Sequence, residues 1–384
     1  MSEGFLPLSI QALALNKPMP VDVWNDHGIL LLAKGKQLES FEQMRKLASL
    51  RPMVRAADVA QLPDNSLLRP GARTAVSGVP MRESNDLWLD PVAAWPALYQ
   101  RLLGLVYEPA SHGMGFQATV EALYGQLTVA MTGREDESLF MLMQMLQSRD
   151  YRYCALNALA CAAICHLGAM DLEAPLDLRR SLCCAAMTMN IGMATLQDQL
   201  SQQADPPTAE QRAVIAQHPR ESHRRLALLG VSDASWLQWV QSHHATSQPP
   251  EDGLQLLIRM ADRMVARISN RMSRPGQHPS LAMRETYQQS TVHEKNLAER
   301  LVRVFGLYPP GCYVKLRSQE TAVVVRRGRK INRPRVLAVM NRHGELLTSP
   351  QLRDTQLPDY EVIAPVPAHG LALRLDLRRL LQRV

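Results

Sequence analysis

Residues 178–193 read LRRSLCCAAMTMNIGM, and the last seven of them, MTMNIGM at 187–193, decide how the chain is to be read. Apolar residues recur at three- and four-residue spacing up to Met187, the period of a buried helix face. The helix runs out in Asn190-Ile191-Gly192, yet no polar turn follows, and methionine and threonine flank the break. Three histidines and an aspartate further along the chain bear on why that ending is kept.

Outward from this point the helical period continues on both sides. It carries ESLFMLMQMLQSRD (137–150), YRYCALNALACAAICHLG (151–168), TAEQRAVIAQ (208–217) and PRESHRRLALLG (219–230). Beyond them lie ASWLQWVQSHHA (234–245), GLQLLIRMADRMVARIS (253–269) and HEKNLAERLVRVFG (293–306). Gly168 and Gly230 stand where helices are expected to stop. Towards the N-terminus the period changes to two. PVDVWNDHGILLLAKGKQL (20–38) alternates around Asn-Asp-His-Gly, which is hairpin chemistry, and a short helix, FEQMRKLAS (41–49), follows. Residues 62–96 are rich in Pro, Ser, Asn and Asp and read as a connection. From Pro309 onward YVKL, TAVVV, PRVLAVMN and GELL read as short strands.

The expected architecture is therefore mainly α. An all-α core over 97–307 is flanked by a small N-terminal β-containing module (1–60), a linker (61–96) and a small C-terminal β module (308–384). A hydrophobic share of 46% supports a sizeable core, while 5% aromatics and 19 methionines favour adaptable helical packing over an aromatic-rich sandwich. The six cysteines show no CxxC spacing and read as buried thiols of a reducing compartment. No unbroken run of 18 apolar residues occurs, and the N-terminus carries no basic region with a cleavage site, so a cytoplasmic chain without a membrane span is expected.

Within the helical stretch, His218 precedes Pro219, His243 and His244 close the 234–245 segment, and Asp262 sits among apolar residues. Proline favours the first helical position, so His218 is expected at the mouth of a helix beginning at Pro219. Neutral imidazoles and a carboxylate together suit first-row divalent metals. Singly, each has a plainer reading: a helix cap, a histidine pair facing a helix dipole, or an aspartate paired with Arg259, Arg263 or Arg267.

The order and spacing of these residues resemble the HD-GYP family, bacterial metal-dependent phosphodiesterases of cyclic di-GMP built on the all-α HD fold. In that family a helix ends in His-Asp-Ile-Gly-Lys, and a His-Pro, a His-His pair and an Asp motif follow in turn. Here the counterparts are His218-Pro219, His243-His244 and IRMADRMVARIS around Asp262, and the resemblance runs from about 150 to 305. PMPVDVWNDHGILLLAKGKQL looks like a module often joined to such domains, and YPPGCYVKLRSQETAVVVRRG like the β tail that follows some of them.

The resemblance implies a degenerate site. Aligned on Ile191-Gly192, the motif's His-Asp falls on Met189 and Asn190 and its lysine on Met193, and the resemblance puts an earlier family histidine, in the helix YCALNALACAAICHLG, on Cys154. The interval ATSQPPEDGLQLLIRMA (245–261) holds no Gly-Tyr-Pro. In the family the motif's aspartate bridges two metals; Asn190 is neutral, and a thioether is a soft ligand unsuited to hard ions. No resident cofactor is expected, although His218, His243 and His244 leave room for one divalent ion (Fe, Mn or Zn). The favoured function is a catalytically degenerate signalling protein that acts by binding a protein partner or cyclic di-GMP. The alternative is an active phosphohydrolase with a mononuclear site.

Charge adds one further candidate. Residues 300–384 hold 16 Lys and Arg against 6 Asp and Glu, so all of the net +7 lies there. Within RRGRKINRPR (326–335), Arg326, Arg327, Arg329 and Lys330 are candidates for a phosphate or an acidic partner, with a solvated hairpin as the plainer reading. The run has no interleaved aromatics, which argues against single-stranded nucleic acid.

Overall fold

A computed structural model describes residues 5–8, 17–25, 29–38, 52–55, 57–58, 85–245 and 253–368, with Gln43, Leu47, Leu371 and Leu380. The chain divides into two compact units, Met1–Leu87 and Trp88–Val384.

The first unit holds a four-stranded antiparallel sheet in the order β1 (Phe5–Pro7), β4 (Met53–Arg55), β2 (Val23–Trp24) and β3 (Leu30–Leu32). The β2–β3 hairpin is the one expected at Asn-Asp-His-Gly. Asn25 closes it, its Oδ1 accepting from Ile29 N at 2.8 Å, while residues 26–28 lie outside the described set. Met19, Val21, Val23, Leu38, Leu47 and Val54 form its core. The helix expected at 41–49 and most of the linker fall outside the described residues.

The second unit is helical and carries a sheet. Helix α1 (Pro91–Tyr107) starts six residues before the expected 97. Asp90 caps it, accepting from Val92 N at 3.0 Å, and Pro91 follows at the first helical position. The proline that resembled loop punctuation is helix-start chemistry. Then come α2 (Phe116–Met131), α3 (Glu135–Gln147), α4 (Tyr153–Asp171), α5 (Leu176–Thr188), α6 (Ala194–Gln202) and α7 (Ala209–Leu228). The series ends with α8 (Ala234–Ser242), α9 (Gly253–Ile268), α10 (Pro279–Gln288) and α11 (Val292–Phe305). Helix α10 had no counterpart in the periodicity; His278-Pro279 starts it, with the histidine Nδ1 accepting from Ser280 N at 3.2 Å.

Helix α4 is the centre, packed against α1, α5, α6, α9 and α11. Its 19 residues have a mean hydropathy of 1.5, enough by length and composition to cross a membrane, but 94% of that window is buried in the fold, as in a core helix. Gly168 does not end it. Its missing side chain makes room for Leu257 of α9, whose methyl would lie 2.7 Å from a Cβ there. Gly230 does terminate α7, at φ +82°, with Val231 N bonded back to Leu226 O at 3.0 Å.

The C-terminal strands form a five-stranded antiparallel sheet, β8 (Leu346–Asp354), β7 (Arg335–Met340), β6 (Thr321–Arg326), β5 (Tyr313–Leu316) and β9 (Val362–Val366). YVKL, TAVVV and PRVLAVMN match β5 to β7, while GELL (344–347) catches only the first two residues of the longer β8. The fifth contains Pro365 and lies at the sheet edge, where a missing N–H is tolerated. Phe140 of α3 enters the core of this sheet with Tyr313, Val323, Val325, Leu337 and Val339. Gly311, at φ +90°, passes so near Phe140 that a Cβ would lie 2.6 Å from its carbonyl oxygen.

Candidate metal centre

Helix α7 is continuous through Pro219, contrary to the expectation of a start there. A capping box sets its N-terminus: Gln211 N donates to Thr208 Oγ1 at 3.3 Å, and Thr208 N to Gln211 Oε1 at 2.9 Å. Pro219 lacks the N–H that would bond the carbonyl four residues back, that of Ile215. His218 takes the vacant acceptor, its Nδ1 lying 2.6 Å from Ile215 O. The proline thus converts a lost helical bond into an anchor for the histidine beside it.

His243 is held in the same way at the end of α8, where the last carbonyls have no helical partner. Its Nδ1 lies 2.7 Å from Val240 O. Two contacts tie α8 to α5: Asp233 accepts from Ser181 Oγ at 2.5 Å, and the buried Trp236 donates from Nε1 to Thr188 Oγ1 at 2.8 Å. A carbonyl can only accept, so in both histidines Nδ1 carries the hydrogen and Nε2 presents a lone pair.

The two Nε2 atoms lie 3.1 Å apart. Burial pushes the pKa of His218 down to about 4, and burial with the neighbouring histidines takes His243 well below its usual value. Two facing lone pairs repel unless a cation lies against both. Imidazole nitrogens bound at about 2.1 Å to one ion, at roughly right to tetrahedral angles, are about 3.0–3.4 Å apart. His244 completes the group: the ligand atoms of all three lie within 4.8 Å of one another, and its Nε2 is 4.0 Å from Asp262 Oδ2. Burial raises the carboxyl pKa of Asp262, while His244, Arg271 and Arg263 pull it back. His244 is half-exposed, which leaves one side of the group open. The donor set therefore fits one divalent ion.

The opening stretch meets this group at Gly192. A Cβ there would lie 2.8 Å from Ser222 N and 2.9 Å from His218 O, and Gly192 N donates to Ser222 Oγ at 2.9 Å. The glycine lets the turn Ile191–Met193 press on the backbone of α7 at the histidine itself. Met189 and Asn190 are buried beside that turn, and the Asn190 amide nitrogen has no hydrogen-bond partner among the described residues. Cys154 is buried, and burial followed by the Asp198 charge holds its thiol protonated.

The structure thus brings together His218, His243, His244 and Asp262. Among the described residues no ion pair joins Asp262 to the three arginines of the plainer reading: Arg259 and Arg263 go to Glu294, and Arg267 to Glu285. Sequence reading missed the Ile215 carbonyl, Ser222 and Glu294; of these only Ile215 had a signal, four residues before a proline. The basic run divides. Arg326 pairs with Glu137 at 3.0 Å, and Arg327 with Asp136 and with Val304 O, so both hold the sheet to the helices. Arg329 and Lys330 are exposed.

No family model matches the sequence. Over 214 residues the chain is 25% identical to a cyclic di-GMP phosphodiesterase of Pseudomonas aeruginosa, covering 53% of this chain and 51% of that protein. The chain spans about half the length of this curated relative. Among solved structures, an HDG"Y"P protein of Bdellovibrio bacteriovorus covers 78% of this chain and 100% of its own, at 12% identity and a TM-score of 0.46. The histidines and aspartate stand in this order on successive helices of one core, and over about half its length the chain is similar to a cyclic di-GMP phosphodiesterase.

Proposed function

We propose that this is a non-hydrolytic HD-GYP signalling protein that acts by binding, with cyclic di-GMP as its ligand. The observation that carries the reading is the pair Met189 and Asn190, both buried where the family's bridging aspartate and its histidine are aligned. A neutral amide and a thioether supply no bridging charge, so a hydroxide shared between two ions has no support here. The ligand comes from the relative's activity and from chemistry on this chain. Arg149 and Arg271 line a cleft at the start of α4, beside Tyr153, whose hydroxyl contacts the Arg271 guanidinium at 2.5 Å. Guanidinium groups read phosphates by donating two hydrogen bonds at once. A single ion at His218, His243 and His244 would add a Lewis-acidic contact for a phosphate oxygen.

The second reading, a mononuclear phosphohydrolase, draws on the open side of the three-histidine group. Purified protein with added Mn, Fe or Mg distinguishes them. Binding of cyclic di-GMP without turnover is expected, and turnover above background that His218→Ala abolishes would establish the hydrolase instead.

A further inference from the structure

We propose that Glu294 is a positioning residue for the metal centre, acting through Arg259 on the backbone that follows His244. The inference rests on reading the three histidines as an ion site. Glu294 is a carboxylate only 2% exposed, at the third position of α11. Its Oε2 accepts from Thr291 N at 2.8 Å, closing a capping box. Its Oε1 accepts from Arg259 Nη2 at 2.8 Å and from Arg263 Nη2 at 2.5 Å. The other terminal nitrogen of Arg259 reaches across to Ala245 O at 2.8 Å, the carbonyl directly after His244.

A helix cap alone needs neither this burial nor two guanidinium partners. The histidines differ in what holds them. Rings 218 and 243 are fixed by their Nδ1 bonds to helix carbonyls, whereas the described contacts of the His244 ring are the other two imidazoles and Asp262 at 4.0 Å. Its direction is therefore set by its backbone, where Ala245 N bonds back to Ser242 O at 2.8 Å, Gln255 Nε2 reaches Ser242 O at 3.4 Å, and Arg259 supplies the charged tie, on Ala245 O directly after the ring. The same helix α9 carries Asp262 three residues on, so one rigid element places both the clamp and the carboxylate. Outer partners of this kind typically change metal affinity ten- to a hundredfold when removed.

The test is titration of the full chain with Zn(II) or Mn(II) alone, alongside thermal unfolding without metal. Glu294→Gln and Arg259→Lys are compared with wild type, and His218→Ala serves as the non-binding control. Lysine keeps a charge beside Glu294 but cannot bridge two acceptors as the planar fork does. About tenfold weaker binding is expected in both variants, with the zinc-bound nitrogen count by X-ray absorption dropping from three to two. A merely structural role would lower the unfolding temperature and leave affinity and nitrogen count alone. Unchanged affinity in folded Arg259→Lys overturns the positioning role while the ion site stands. Absence of binding by wild type overturns both. Should Glu294→Gln fail to fold, Arg259→Lys decides.

Discussion

Replacing Pro219 by Ala should move stability and metal affinity in opposite directions. Proline in a helix interior is about 3 kcal/mol worse than alanine. Its restriction of the unfolded chain returns about 0.4–1 kcal/mol, which the substitution gives up. The His218 Nδ1 bond to Ile215 O, 2.6 Å long, already makes good part of the missing helical bond. A net stabilisation of about 1–2 kcal/mol remains, visible as a higher unfolding temperature of the metal-free chain. The new N–H at 219 competes for the carbonyl that sets the tautomer of His218. Loss of such a partner weakens metal binding about ten- to a hundredfold, or about 1.4–2.7 kcal/mol. Calorimetric titration with Zn(II) reads the affinity, and thermal unfolding without metal reads the stability. A variant that binds zinc as tightly as wild type, or that is less stable by more than about 1 kcal/mol, would refute the proposed role of this proline.

Restoring Met189→His with Asn190→Asp should not restore cyclic di-GMP hydrolysis and should destabilise the metal-free chain by about 1–3 kcal/mol, since a buried carboxylate would lack partners; denaturant unfolding and an assay of released product check the two parts, and strong turnover would show that Cys154 and Met193 matter less than argued. In the basic run, Arg327→Ala should cost about 1–2 kcal/mol through its contacts with Asp136 and Val304 O. Arg329→Ala with Lys330→Ala should stay within about 0.5 kcal/mol, so equal effects would contradict the division of the run. Burial holds the pKa values of His166 and His278 down at about 4, with Arg179 also lowering His166 and a bond to Tyr313 O opposing the shift in His278. Below the unfolded value near 6.5 the unfolded chain takes up protons that the native one refuses, so stability falls with pH down to about 4. Each should lose about 2 kcal/mol between pH 7 and pH 5 by urea unfolding. An unaltered pH slope in His166→Gln would refute its share.

The fold class was legible because its evidence is local. Period-three-and-four spacing marked helices α3, α4, α5, α8, α9 and α11, and alternation marked β5 to β7 and the start of β8, since each pattern reports one face of one element. The ion-site candidates were legible for a different reason. His218, His243, His244 and Asp262 are chemically distinctive residues whose order survives in the chain, whereas the reading of Met189, Asn190 and Met193, and of Cys154 in an earlier helix, as degenerate positions rests on the resemblance. Local pattern did not pick out α2, α6 or α10, and it missed the start of α1 at Pro91 and the continuity of α7 through Pro219. At Pro91, Pro219 and Pro279 a proline carries two opposite local meanings, and only the neighbouring hydrogen bonds choose between them. The same holds for charge. RRGRKINRPR is one basic run in sequence, yet tertiary structure sets Arg326 and Arg327 against Glu137 and Asp136 and leaves Arg329 and Lys330 to solvent. Residue type and spacing were enough to say which side chains could hold an ion. That the Nε2 atoms of His218 and His243 face each other at 3.1 Å, and that Glu294 reaches Ala245 through Arg259, depends on helices distant in sequence, and only packing brings those together.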